Sequence, residues 1–337
     1  MTTRLALWRE LFTEHPRTLV KNKDFTVTVF RYASGVEGLK VANSRGHLVI
    51  LPWLGQMIWD AQFDGHDLKM GNMFHQPKAA KEVVETYGCF AFHSGLLANG
   101  CPSPQDNHPL HGEFACASMD ESWLELEGDS LRICGSYEYV MGFGHHYLAQ
   151  PSVVIHKESP LFDIAMTVTN LASAPMPLQY MCHMNYAYVP DAAFKQNIPD
   201  ESLILRESVP DHVKPTEQWQ LFNQQILQGE VTLNTLSTPH LYDPEIVFFA
   251  DKLDRYTDKP EFEMLAPDGT RFITRFSSKE FNYVTRWILF NGDQQVAAFA
   301  LPSTCRPEGF IAAQRSGSLI QLGPQQSRQF TVTTGIG

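Results

Sequence analysis

Short apolar or aromatic runs with a period of two recur along this chain, and they constrain its fold more than any other feature. The segments "DFTVTVFRYA", "GHLVILPW", "LRICGSYEYV", "PSVVIHKE", "LFDIAMTVTN", "GTRFITRFS" and "SRQFTVTTGI" are rich in β-branched and aromatic residues. Most are bounded by Gly, Pro, Asn or Asp, and such runs between turn formers read as antiparallel strands. Helical patterns are few: "TTRLALWRELF" near the start, "PKAAKEVVETY" with Pro77 at a first-turn position, and a short turn around "DAAFKQ". Strands do not alternate with helices, which argues against a parallel α/β sheet. So many strands must close or stack to protect their edges, and no propeller-blade repeat is visible. The expected fold is therefore all-β, a large antiparallel β-sandwich with a few short helices, forming a single domain over residues 1–337.

Composition excludes several classes of partner. The 26 Lys and Arg are outnumbered by 37 Asp and Glu, for a net charge of -11. Nucleic-acid binding rests on neutralising phosphates with cations, so no nucleic-acid partner is expected. No window approaches the ~20 apolar residues of a membrane span, and the charged N-terminal stretch has no apolar signal core. The expectation is a cytoplasmic protein with no membrane partner; the sequence leaves the oligomeric state open. Six scattered cysteines form no C-x-x-C pair, which fits buried reduced thiols better than a disulfide framework.

Four polar constellations stand out. In "NHPLHGE", His111 lies between Leu110 and Gly112, so little steric cover keeps its ring from a cavity. In "PLQYMCHMNYAYVP", a period of two puts His183 and Asn185 on one face and Met184, Tyr186 and Tyr188 on the other. "YDPEIVFFAD" offers Asp243 and Glu245 before an apolar strand, and "LPSTCRPEGF" offers Arg306 and Glu308 after one. Each also has an ordinary reading as a hydrogen-bonded strand residue, a turn residue or a solvated loop pair. No Walker loop, G-x-G-x-x-G, G-x-S-x-G or H-E-x-x-H is present.

Three blocks in order add what spacing cannot: "FHSGLLANGCPSPQDNHPLHGE", "VTNLASAPMPLQYMCHMNYAYV" and "VAAFALPSTCRPEG" followed by "GSLIQLGP". Together they resemble the galactose mutarotase-like, or aldose 1-epimerase, superfamily, in a branch with Leu-His-Gly and a Tyr-x-x-His-x-Asn strand. The likeness runs from residue 45 or so to the C-terminus.

The resemblance implies a large antiparallel sandwich that interconverts the anomers of a free sugar in an open cleft, without a cofactor or metal. One group takes the anomeric hydroxyl proton while another protonates the ring oxygen, and the ring opens and recloses. By position His111 resembles the family histidine that binds a sugar oxygen, and His183 resembles the general acid. Asn185 supports that strand. Asp243 resembles the substrate-hydroxyl aspartate, with Glu245 as an alternative, and His93 stands where a basic substrate-binding side chain is common.

The chain departs from the pattern at the general base, a family glutamate that Leu301 replaces here. Glu308 and Glu113 are the candidates to take its place, Glu308 first, with Arg306 beside it. The alternative to catalysis is a sugar-binding protein on the same scaffold. A metal-dependent isomerase built from His93, His111, His183 and Glu113 would suit zinc, but the tight H-x-H spacing is missing.

Overall fold

Alternating burial along the strands builds two large sheets in the computed structural model, which describes residues 2–337. In Leu161–Asn170 every second side chain is buried, and in Thr26–Arg31 Val27 and Val29 are fully covered. One sheet has nine strands and the other thirteen, and every pairing between strands is antiparallel. All seven segments with the two-residue period contain strands.

The core lies between the sheets. Phe63 of the larger sheet stacks on Phe162 of the smaller one, with ring centroids 5.6 Å apart. The Tyr186 hydroxyl lies 2.7 Å from Thr334 Oγ1, giving a buried phenol a partner on the C-terminal strand. Burying side chains of this size contributes about 1.5–3 kcal/mol each. All six cysteines are free thiols, and five of them are buried.

The expected helices differ from those found. "TTRLALWRELF" forms a strand, Thr3–Leu7, and one 3₁₀ turn, Arg9–Leu11. Its Leu5 and Leu7 also satisfy a period of two, and pairing with Glu121–Glu127 supplies bonds that a helix of that length lacks in isolation. Arg4 stacks on Trp123 across that pair at 4.1 Å. "PKAAKEVVETY" keeps only the 3₁₀ turn Val83–Thr86, closed by a capping box between Glu82 and Glu85. "DAAFKQ" supplies the strand Ala193–Gln196, paired with Glu261–Leu265.

Two helices fall elsewhere. Glu217–Leu227 starts at Thr216, whose hydroxyl accepts the Trp219 amide at 3.2 Å, and Phe310–Ser316 ends at Gly317 with φ 70°. No helix among the described residues is long and apolar enough to cross a membrane.

Five neighbouring strands of the larger sheet carry the site: Ile246–Asp251, Tyr283–Phe290, Gln295–Ser303, Met176–Met184 and Ala91–Leu96. The period of two turns Val247 and Phe249, Thr285, Trp287 and Leu289, Met181 and His183 to a common face, and all of them line one cleft.

Candidate functional site

That cleft has a volume of about 600 Å³ and is open to solvent. Sheet strands form its floor, the segment around Met73, Phe74 and Tyr87 forms one wall, and residues 206–216 form another. Its interior is mainly apolar, with a few polar groups that converge, as in most small-molecule sites.

Two imidazoles meet on the floor. His183 is the penultimate residue of the strand Met176–Met184, and His111 arrives from the loop "NHPLHGE" with φ 63° in the left-handed region. Their ring centroids are 4.8 Å apart at 82°. Gly112 follows at φ 79°, and a Cβ there would lie 2.1 Å from the Ala98 carbonyl oxygen, so the turn that presents His111 requires glycine.

The hydrogen bonds of Ser94 set the tautomer of His111. Ser94 donates its one hydroxyl proton to Asn99 Oδ1 at 2.5 Å and therefore accepts from His111 Nδ1 at 3.0 Å. This leaves Nε2 of His111 as the lone-pair nitrogen for the cleft. His183 Nε2 lies 3.2 Å from the Tyr87 hydroxyl. His183 Nδ1 and Asn185 Oδ1 are both buried without a well-formed partner, and Asn185 is the side chain whose hydrogen bonding draws the His183 pKa back up.

Both rings are neutral at neutral pH. Burial, with smaller contributions from nearby groups, pushes His111 down to about 3. Burial and then the His111 imidazole push His183 well below its ordinary value. Tyr87 is also neutral: burial raises its phenol well above the usual range, with Cys89 and Glu245 adding to the effect. Phe92 stacks under His183 at 4.5 Å and 16°, while Trp287 meets its edge at 5.8 Å.

Glu245 organises the far side. Its Oε1 accepts from Arg206 at 2.7 Å and its Oε2 from the Trp287 indole at 2.7 Å, while His212 lies 3.5 Å away. Burial alone would raise this carboxyl, but hydrogen bonding from His212 and the Arg206 guanidinium outweigh it and hold it below the ordinary value. Asp243 Oδ1 accepts from Asn291 at 3.1 Å on the cleft margin.

Of the residues singled out in the sequence, His111, His183, Asp243 and Glu245 line the cleft, and so does Leu301. Asn185 lies buried behind His183 and donates to the Cys89 carbonyl at 3.0 Å. His93 is on the other face of its strand, 2.7 Å from the Tyr180 hydroxyl, where burial holds it down to about 3. Glu113 is spent on the backbone amides of Leu96 and Leu97 and the Tyr147 hydroxyl, and Arg306 grips Asp251.

Glu308 does not fold back toward Leu301. Its carboxylate accepts from Ser208 at 2.7 Å, because its backbone bridges to Gly100 and carries the side chain outside the lining. The set His93, His111, His183 and Glu113 does not converge, and no group of three potential metal ligands forms among the described residues.

Sequence reading missed Tyr87, Arg206, His212 and Trp287. Trp287 carried a signal, since "YVTRWILF" places Thr285, Trp287 and Leu289 at a spacing of two. The other three lie in irregular segments that only tertiary structure brings to the cleft.

Two large antiparallel sheets give the chain the galactose mutarotase-like sandwich fold, and comparison with solved structures agrees. A Klebsiella pneumoniae structure described as a "putative aldose 1-epimerase" aligns with a TM-score of 0.81 at 14% identity, covering 100% of this chain and 91% of that one. A galactose mutarotase-like protein from Clostridium acetobutylicum aligns with a TM-score of 0.63 at 14% identity, covering 94% and 99%. Another from Lactobacillus casei gives 0.58 at 14% identity, covering 89% and 100%. The chain belongs to the family described as domain of unknown function DUF4432, whose model matches residues 33–336. No curated protein matches it in sequence.

Proposed function

We propose that this protein interconverts the anomers of a free sugar in the cleft, as an aldose 1-epimerase-like isomerase. The observation that carries the reading is the meeting of His111 and His183, distant in sequence, beneath the aromatic side chains Tyr87 and Trp287. An aromatic face suits the apolar face of a sugar ring, and lone-pair nitrogens suit its hydroxyls. The reaction moves protons only, between the anomeric hydroxyl and the ring oxygen.

Leu301, standing at the family's base position, lines the cleft and cannot take a proton. Proton transfer therefore falls to the imidazoles and the groups bonded to them. Leu301 is also what favours the second reading, a non-catalytic sugar-binding protein.

Anomer exchange followed by NMR across a panel of free aldoses and ketoses separates the two. Wild type is expected to accelerate exchange of at least one sugar, and His183→Ala to lose ~10²- to 10⁴-fold of that acceleration. A sugar that binds the cleft with no sugar's exchange accelerated would establish the binding reading instead. Acceleration undiminished in His183→Ala would move the chemistry away from this histidine.

A further inference from the structure

We infer that Tyr87 and His183 form a carboxylate-free proton relay, in which the phenol receives the anomeric hydroxyl proton and the imidazole delivers one to the ring oxygen. The inference rests on reading the cleft as a site of anomer interconversion, and it names what replaces the family's glutamate. The Tyr87 hydroxyl and His183 Nε2 are 3.2 Å apart and both residues line the cleft. Each ring is held by its neighbours: Phe92 stacks on His183, and both Phe92 and Trp287 meet Tyr87 edge-on at 5.6 and 6.1 Å.

The anomeric hydroxyl oxygen and the ring oxygen are bonded to the same carbon. A sugar seated on the pair can therefore set the hydroxyl against Tyr87 and the ring oxygen against Nε2. The hydroxyl proton passes to the Tyr87 oxygen as the phenol's own proton passes to the lone pair of Nε2, and that same proton then passes from Nε2 to the ring oxygen. The electron pair of the broken O–H bond becomes the carbonyl π bond, and the pair of the broken bond between C1 and the ring oxygen stays on that oxygen.

Tyr87 and His183 finish in the protonation states in which they began. After rotation about the bond from C1 to C2, the same transfers in reverse close the other anomer. The imidazolium exists only between the two transfers, paired with the sugar oxyanion, so the site as a whole stays neutral, as the burial of phenol and imidazole requires. Asn185 supports the transient imidazolium from the Nδ1 side.

Tyr87→Phe removes only the hydroxyl and tests the relay with the sugar that wild type accelerates most. The expected result is a kcat lower by ~10²-fold or more, with KM changed less than about threefold. In mixtures of light and heavy water, the wild-type rate should fall along a curve, as required when more than one proton is in flight, and its pH profile should stay level through 6.5.

A Tyr87→Phe kcat within about threefold of wild type would overturn the relay and leave anomer interconversion standing. A lower kcat accompanied by a straight-line isotope dependence in wild type would also overturn it, because a positioning phenol leaves one proton in flight. No acceleration by wild type on any sugar would overturn the relay together with the reading beneath it.

Discussion

Acidification from neutrality to about pH 5 is expected to remove on the order of 4 kcal/mol or more of folding stability, through three buried histidines. Burial drives His93 and His111 down to about 3 and pushes His183 well below its ordinary value. In the unfolded chain each imidazole takes up its proton near 6.5, while the folded protein refuses it. The unfolded state therefore binds more protons throughout this window, so stability is complete above 6.5 and declines as pH falls toward the folded values.

At about pH 5 this amounts to roughly 2 kcal/mol for each of His93 and His111, with His183 adding to the sum. Carboxylates that titrate alike in the folded and unfolded chain contribute nothing, because both states then bind the same number of protons. Urea unfolding at about pH 7.5 and about pH 5 measures the effect, and His93→Gln should make the dependence shallower. Equal stability at the two pH values would mean that these rings accept protons in the folded protein.

Replacing Glu245 with Ala is expected to cost about 3–5 kcal/mol, the range for stranding one partner of a buried ion pair. The Arg206 and Glu245 side chains are only 8% and 9% exposed, so the carboxylate's removal leaves a guanidinium in the wall without its counter-charge. It also removes the acceptor of the Trp287 indole. Trp287 would then lose the bond that fixes its ring beside His183 and Tyr87, so sugar binding should weaken along with stability.

The matching control is Glu245→Leu combined with Arg206→Met, which removes both charges and should recover most of the loss in urea unfolding. A double variant no more stable than Glu245→Ala would show that Arg206 is not the group left stranded.

The sheet architecture was legible because burial in a sandwich imposes the same period of two on every strand, whatever its partner. The N-terminal segment misled because "TTRLALWRELF" satisfies both periods over so short a length, and only the neighbouring strand Glu121–Glu127 decides between them. His111 and His183 were legible as a pair through their motifs. Glu245 was legible as a polar residue at a strand entrance, but not as the partner of Arg206.

Glu308 illustrates the limit. Its nearness in sequence to Leu301 suggested a replacement base, yet the backbone bridge to Gly100 sends its side chain to Ser208. Tyr87 sits in "VVETYGCF", a segment with no periodic pattern, and its place against His183 follows from packing on Phe92 and Trp287.

The most direct test of the proposed chemistry is a crystal structure of wild type with the sugar whose anomer exchange it accelerates most. The account predicts the anomeric carbon over the histidine pair, with its two oxygens within hydrogen-bond distance of the Tyr87 hydroxyl and His183 Nε2 and a ring hydroxyl on His111 Nε2. A sugar bound with its anomeric carbon facing solvent, or outside the cleft walled by Tyr87 and Trp287, would contradict it.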